Sequence, residues 1–121
     1  MKPEKSIKIK SRINSFRYAF QGLRHLVGKE PNMLIHFVAA ILVVIAGFVR
    51  NLNGMQWVAV LIAISLVMIS EMFNTCIETL CDLYSKNEYH PAIKIIKDIS
   101  AGGVLIAAIV SVIIGIIVFT S

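Results

Sequence analysis

The chain has 121 residues, 57% of them hydrophobic and 16% charged, where soluble domains run about 45–50% apolar and about 25% charged. That excess excludes a disordered chain, and so small a chain has too little interior to hide it from water, which leaves a bilayer to take the rest. Net charge is +5, with eight of the 12 Lys+Arg (Lys2, Lys5, Lys8, Lys10, Arg12, Arg17, Arg24, Lys29) before residue 30; beside an apolar body this arm argues for anionic lipid headgroups and against nucleic acid.

The first predicted element is an amphipathic surface helix over about residues 6–28. Ile9, Ile13, Phe16, Phe20, Leu23 and Val27 recur at spacings of 3 and 4, while Lys8, Lys10, Arg17 and Arg24 lie off that stripe. Apolar on one side and cationic on the other, such a helix lies flat on an anionic membrane surface. Gly28 and Pro31 mark a break before the next element. No cleavable signal peptide is expected, because the N-terminus is a long basic stretch without a short apolar core.

Three apolar runs follow, at 33–52, 57–81 and 99–119. Each approaches or exceeds the ~20 residues that cross a hydrocarbon core. The fold expected is therefore an all-α integral membrane protein: one surface helix and three transmembrane helices in a single domain over 1–121. The loop near 50–56 holds only Arg50, residues 82–98 hold Lys86, Lys94 and Lys97, and the C-terminal Thr120-Ser121 holds no cation. Cation excess marks the cytoplasmic side. The N-terminus is then cytoplasmic, the C-terminus external, and Trp57 sits at the outer interface.

Cys76 and Cys81 would point about 140° apart on a helix and cannot readily bridge, so buried free thiols are expected. The third span carries Gly103, Ala107, Ser111 and Gly115, a small residue at every fourth position. Such faces let helices approach closely in lipid, and self-association is the expectation.

Polar residues at membrane depth are the informative ones, because they are costly there and usually functional. In SEMFNTCIETLCD, Glu71, Asn74, Glu78 and Asp82 share one stripe of the second span. By helix rise, Glu71 lies about 21 Å inward from Trp57 and Glu78 about 31 Å. Glu78 thus reaches the cytoplasmic boundary, level with Glu30 at the start of the first span, and Glu71 stays deeper. Two carboxylates at the water boundary suit Mg²⁺, which keeps phosphates and water in its shell. A partly desolvated carboxylate below them suits proton abstraction. Lys97 and Asp98 open the third span on the same side, where a lysine can neutralise phosphate oxygens. His25, His36 and His90 show no metal-ligand spacing and read as interfacial or packing residues. The stretch from Gly22 to Lys29 is not a P-loop, having five residues between its glycines and Glu30 where a hydroxyl is needed.

The string E71-M-F-N-T-C-I-E78-T-L-C-D82, followed by E88-Y-H90 and K97-D98, resembles the signature of the small prokaryotic membrane diacylglycerol kinases over nearly the whole chain. The resemblance implies a homotrimer that phosphorylates a membrane lipid alcohol with MgATP, at sites shared between neighbouring subunits. It implies Glu71 as catalytic base with Asn74 beside it, and Glu30 and Glu78 as metal ligands. It places Tyr18, Glu30, Glu78, Asp82, Glu88, His90, Lys97 and Asp98 around the nucleotide. Arg12 stands nearest the family's surface-helix arginine, one residue out of register, and Ala101 replaces a serine found in some members. The E30-P-N-M-L-I-H36 string and the NTCIE spelling are similar to the Gram-positive branch, which prefers undecaprenol to diacylglycerol.

The expected activity is transfer of phosphate from ATP, with Mg²⁺, to undecaprenol in a bacterial cell membrane, with Glu71 and Trp57 toward the lipid. Phosphorylation of diacylglycerol to phosphatidic acid is the alternative. A small oligomeric proton or ion channel is a more distant one, which leaves Glu30, Glu78 and Lys97 at one boundary without a purpose.

Overall fold

The computed structural model describes residues 5–121, with side chains from residue 8 onward, so Lys2 of the basic arm lies outside the described residues. Four helices follow in order: α1 (Lys5–Lys29), α2 (Pro31–Val49), α3 (Gly54–Ser85) and α4 (Pro91–Thr120). The last three are each long and apolar enough to cross a membrane, and among the described residues there is no strand.

Each boundary has a local cause. Glu30 is extended (φ −104°, ψ 109°) because a residue before proline is pushed out of the helical region. Pro31 then opens α2, where its missing N–H costs nothing. Gly28, expected to share in this break, lies inside α1 instead; proline chemistry alone ends the helix, one residue later. Asn53 caps α3 with a reciprocal pair: its side chain accepts from Gln56 N, and Gln56 Oε1 accepts from Asn53 N, both at 2.9 Å. Lys86 and Asn87, at φ 53° and 63°, turn the chain out of α3, and Pro91 restarts it as α4.

The helices α3 and α4 outrun their apolar stretches. At about 1.5 Å per residue, the 32 residues of α3 and the 30 of α4 measure about 48 and 45 Å. The excess beyond a ~30 Å core lies at the end that carries Asp82 and Lys97. The helical rod thus continues from lipid into the polar layer, past the boundaries drawn from hydropathy at residues 81 and 99.

Antiparallel α3 and α4 form the best-packed pair. Gln56 Nε2 donates to Ser121 Oγ (2.8 Å) at one end, Ser111 Oγ to the Ala63 carbonyl (3.0 Å) midway, and Lys97 Nζ to Asp82 Oδ1 (2.5 Å) at the other. The small-residue stripe of α4 is therefore partly used within the chain. Ala107 is buried and Ser111 is bonded to α3, leaving Gly103 and Gly115 with open space where a Cβ would stand. Cys81 is buried and Cys76 exposed, both free. The exposure of Cys76 departs from expectation: about 140° around α3 from Cys81, it lies on a different face of the helix.

At the far end, α2 and α3 meet through Gly47, whose missing side chain admits Trp57. The indole stacks obliquely on Phe48, with ring centroids 4.9 Å apart. A Cβ on residue 47 would stand 2.6 Å from Trp57 Cη2 and 3.1 Å from Leu52 Cδ1. Alanine normally gains up to ~1 kcal/mol over glycine in a helix. Here the overlap outweighs that gain, and Gly47→Ala is expected to destabilise the fold by about 1–3 kcal/mol. Denaturation in detergent micelles measures it, and Trp57→Leu in the same chain should recover most of the loss.

Candidate functional site

The polar stripe of α3 is present as a column running toward the end that carries the α3–α4 loop. Glu71 and Asn74 are buried, at 4% and 7% exposure. Glu78 and Asp82 are half-buried. Helical spacing of 3 and 4 residues puts all four on one side of α3, which is why a 32-residue apolar helix can concentrate its polarity on one stripe.

Asn74 Nδ2 donates to Glu78 Oε1 at 3.2 Å, fixing the amide so that its carbonyl oxygen points elsewhere. That Oδ1 is buried and has no protein partner among the described residues. A buried carbonyl without a donor is unusual, since most such groups are satisfied. A hydroxyl-bearing ligand or another copy of the chain can donate to it.

Across from Glu71, on α2, stands His36, with Nε2 3.6 Å from Glu71 Oε2. Spacing could not have revealed this pair: the two residues lie on different helices, and His36 read as a packing residue. Its signal was depth, since it is the one polar side chain of α2 beyond the first turn. The contact also sets the register of the two helices. Counting toward the end that carries Asp82 and Lys97, Glu30 is six residues from His36 and Glu78 seven from Glu71. At helix rise these are about 9 and 10 Å, so Glu30 and Glu78 come to similar depth.

Glu30 occupies the N-cap of α2, half-buried, and its side chain makes no capping hydrogen bond. Its carboxylate is thus uncommitted to the helix it begins. Among the described residues no group of three or more His, Cys, Asp or Glu could form a metal cage. The donor set nevertheless fits Mg²⁺, which is held by one or two carboxylates plus substrate phosphates rather than by an all-protein shell. It does not fit zinc, which takes three or four protein ligands.

Lys97 and Asp98, adjacent in sequence, serve different partners. Lys97 pairs with Asp82 of α3, whereas Asp98 pairs with Lys94 (2.6 Å) one turn back on the exposed face of α4. His90 is the exposed N-cap residue of α4 and Glu88 lies in the loop before it. Arg12 and Tyr18 are exposed on α1, where the Arg17 guanidinium lies 5.9 Å from the Tyr18 ring. Trp57 packs on Gly47 and Phe48, 14 residues from Glu71 and so about 21 Å away along α3. Glu71 with His36, Asn74 with Glu78, and Asp82 with Lys97 are therefore brought together within the chain. Among the described residues, Arg12 and Tyr18 of α1 make no hydrogen bond or ion pair with any of them.

Adjoining the column at His36, on the side toward Trp57, lies an apolar groove of about 420 Å³ between α2, α3 and α4, lined by Ala39, Ala40, Val60, Ala63 and Gly115 among others. A deep carboxylate linked through His36 to an apolar groove, with polar groups stepping outward along one helix, is an arrangement for a reactant that is mostly hydrocarbon with one polar end.

Comparison with known proteins agrees. The prokaryotic diacylglycerol kinase family matches residues 17–119. A diacylglycerol kinase of Synechocystis sp. is 38% identical over 101 residues, 84% of this chain, which spans 58% of that relative's length. The undecaprenol kinase of Bacillus subtilis is 35% identical over 105 residues, 87% of this chain and 85% of its own. The diacylglycerol kinase of Escherichia coli K12 is 33% identical over 101 residues, 84% and 82% of the two chains. The match reaches from α1 to the end of α4 and takes in the whole column, and the chain belongs to the prokaryotic diacylglycerol kinase family, a family of lipid kinases.

Proposed function

We propose that this protein transfers the γ-phosphoryl group of MgATP to the hydroxyl of a membrane lipid alcohol, with undecaprenol preferred over diacylglycerol. The observation that carries the reading is the depth-ordered column on α3. A buried Glu71 faces His36, which lines an apolar groove, and Glu78, Asp82 and Lys97 lie progressively nearer water. A lipid hydroxyl and a soluble nucleotide arrive from opposite sides of such a boundary, and the column spans it.

In this scheme Glu71 accepts the hydroxyl proton as the lipid oxygen attacks the γ-phosphorus. The bond to the β–γ bridging oxygen breaks, and its electron pair leaves with ADP. Asn74, anchored by Glu78, presents its free carbonyl oxygen beside the reacting hydroxyl. Glu30 and Glu78 would hold Mg²⁺, which when bound offsets negative charge on the phosphates. Lys97, with Asp98, Glu88, His90, Tyr18 and Arg12, belongs to the nucleotide side. Positioning and charge neutralisation are the main catalytic demands of phosphoryl transfer, and these residue types meet them.

The surface helix α1, with Ile13, Phe16 and Phe20 largely exposed, rests on anionic headgroups in the cytoplasmic leaflet. A homotrimer with shared sites fits the open Gly103 position on α4 and the exposure of Arg12 and Tyr18 on α1.

Undecaprenol preference rests on the motif spelling and on the Bacillus relative's name; diacylglycerol is the acceptor named for the Synechocystis and E. coli relatives. Purified protein with radiolabelled ATP and matched micelles of undecaprenol, diacylglycerol or ceramide decides it. Undecaprenol is expected to give the highest kcat/KM. Equal or better use of diacylglycerol moves the substrate assignment, while absence of transfer to every lipid removes the kinase reading.

Orientation has its own test, because ATP is cytosolic. In a chain without Cys76 and Cys81, an impermeant maleimide added outside should label Ser121→Cys and spare Lys86→Cys. The reverse result would put the column's polar end on the wrong side for the proposed reaction.

A further inference from the structure

Glu71 needs aiming as well as placing. A glutamate has three side-chain torsions, and only some of its rotamers turn an oxygen lone pair toward a given hydroxyl. Among the described residues, the one polar side chain against its carboxylate is His36, 3.6 Å from Oε2; the side chains are 5% and 26% exposed respectively. The hydrogen bonds of Asn74 go to Glu78 and not to Glu71. His36 is used by nothing else: it lacks a metal-ligand cluster, and its neighbours along the groove wall are apolar.

We infer that His36 is the positioning residue for Glu71, in a role that rests on the lipid-kinase reading above. Its Nε2–H faces Oε2, because a nitrogen lone pair turned toward a carboxylate would be repelled. Holding one oxygen this way leaves Oε1 free for the hydroxyl of a lipid whose chain lies in the groove that His36 lines. At 3.6 Å the contact is longer than a hydrogen bond. Catalytic contacts commonly tighten once the reactant is bound.

The two ring nitrogens make the inference specific. A glutamine amide nitrogen reaches about as far as Nε2 of histidine, whereas an asparagine amide overlies Nδ1 and falls short. His36→Ala should therefore lower kcat at saturating lipid by up to about 100-fold, the scale of a 1 Å misplacement of a reacting group. MgATP affinity should stay within about twofold of the unsubstituted chain, since the nucleotide lies at the other end of the column. His36→Gln should recover most of kcat, and His36→Asn should not. A space-filling role would instead treat asparagine and glutamine alike.

A second measurement is independent of turnover. In protein labelled with ¹⁵N-histidine, the His36 Nε2 resonance should report a bound proton and should shift on Glu71→Gln. Unsubstituted kcat in His36→Ala overturns the inference, as does equal activity of the Gln and Asn variants or a His36 resonance indifferent to Glu71→Gln. If instead the unsubstituted protein transfers phosphate to no lipid alcohol, the functional reading fails, while the resonance still decides whether the two side chains are paired.

Discussion

Glu71→Gln is expected to bind MgATP as tightly as the unsubstituted chain and to lose nearly all phosphoryl transfer. The substitution keeps shape and hydrogen-bonding length, so the buried position of residue 71 and its packing survive. What it removes is the ability to take a proton: an amide cannot accept one from an alcohol. A general base contributes about 100- to 10,000-fold in rate, which sets the expected loss in kcat. Nucleotide affinity by equilibrium titration and lipid phosphorylation by radiolabel transfer, measured on the same preparation, separate the two effects. If MgATP binding disappears instead, while transfer per bound nucleotide is unchanged, Glu71 belongs to the metal shell and another group takes the proton.

The helices were legible in the sequence because membrane crossing demands long uninterrupted apolar runs, and nothing in a 121-residue chain can imitate three of them. Their ends were less so. Hydropathy stops at Cys81 and resumes at Ile99, yet α3 runs to Ser85 and α4 starts at Pro91. A helix already formed in lipid can be extended into water one hydrogen bond per residue, so its ends need not stop at the boundary that hydropathy detects.

The column on α3 was legible for a different reason: Glu71, Asn74, Glu78 and Asp82 share one helix, and spacing alone puts them on one face. Pairings between helices were not. The contact of His36 with Glu71 depends on the register of α2 against α3, and that of Lys97 with Asp82 on the register of α3 against α4. Register comes from side-chain packing such as Trp57 in the notch at Gly47, which no periodicity encodes. The stripe from Gly103 to Gly115 shows the same limit. Its spacing announces close helix approach, but the structure shows that Ala107 and Ser111 meet α3 of the same chain.

Glu78→Gln should fail at an earlier step than Glu71→Gln, losing nucleotide affinity and activity together. Asn74 donates to Glu78 Oε1 at 3.2 Å, and a glutamine carbonyl at that position can accept the same bond. The local fold is therefore preserved and only the charge is removed. Mg²⁺ is a hard cation that prefers charged oxygen ligands, and a neutral amide is a poor substitute for a carboxylate. MgATP affinity should fall at least about tenfold, or about 1.4 kcal/mol. Raising free Mg²⁺ should recover part of it, since the defect lies in holding the metal. Glu30→Gln should behave alike, because Glu30 reaches similar depth on α2 and has no capping hydrogen bond to lose. The double variant should bind little more weakly than the worse single one if both carboxylates hold the same ion, since removing one already breaks the site. Fully additive losses would mean that Glu30 and Glu78 act on separate groups. A Glu78→Gln chain that binds MgATP normally would instead remove Glu78 from the metal altogether and leave it as the anchor of Asn74.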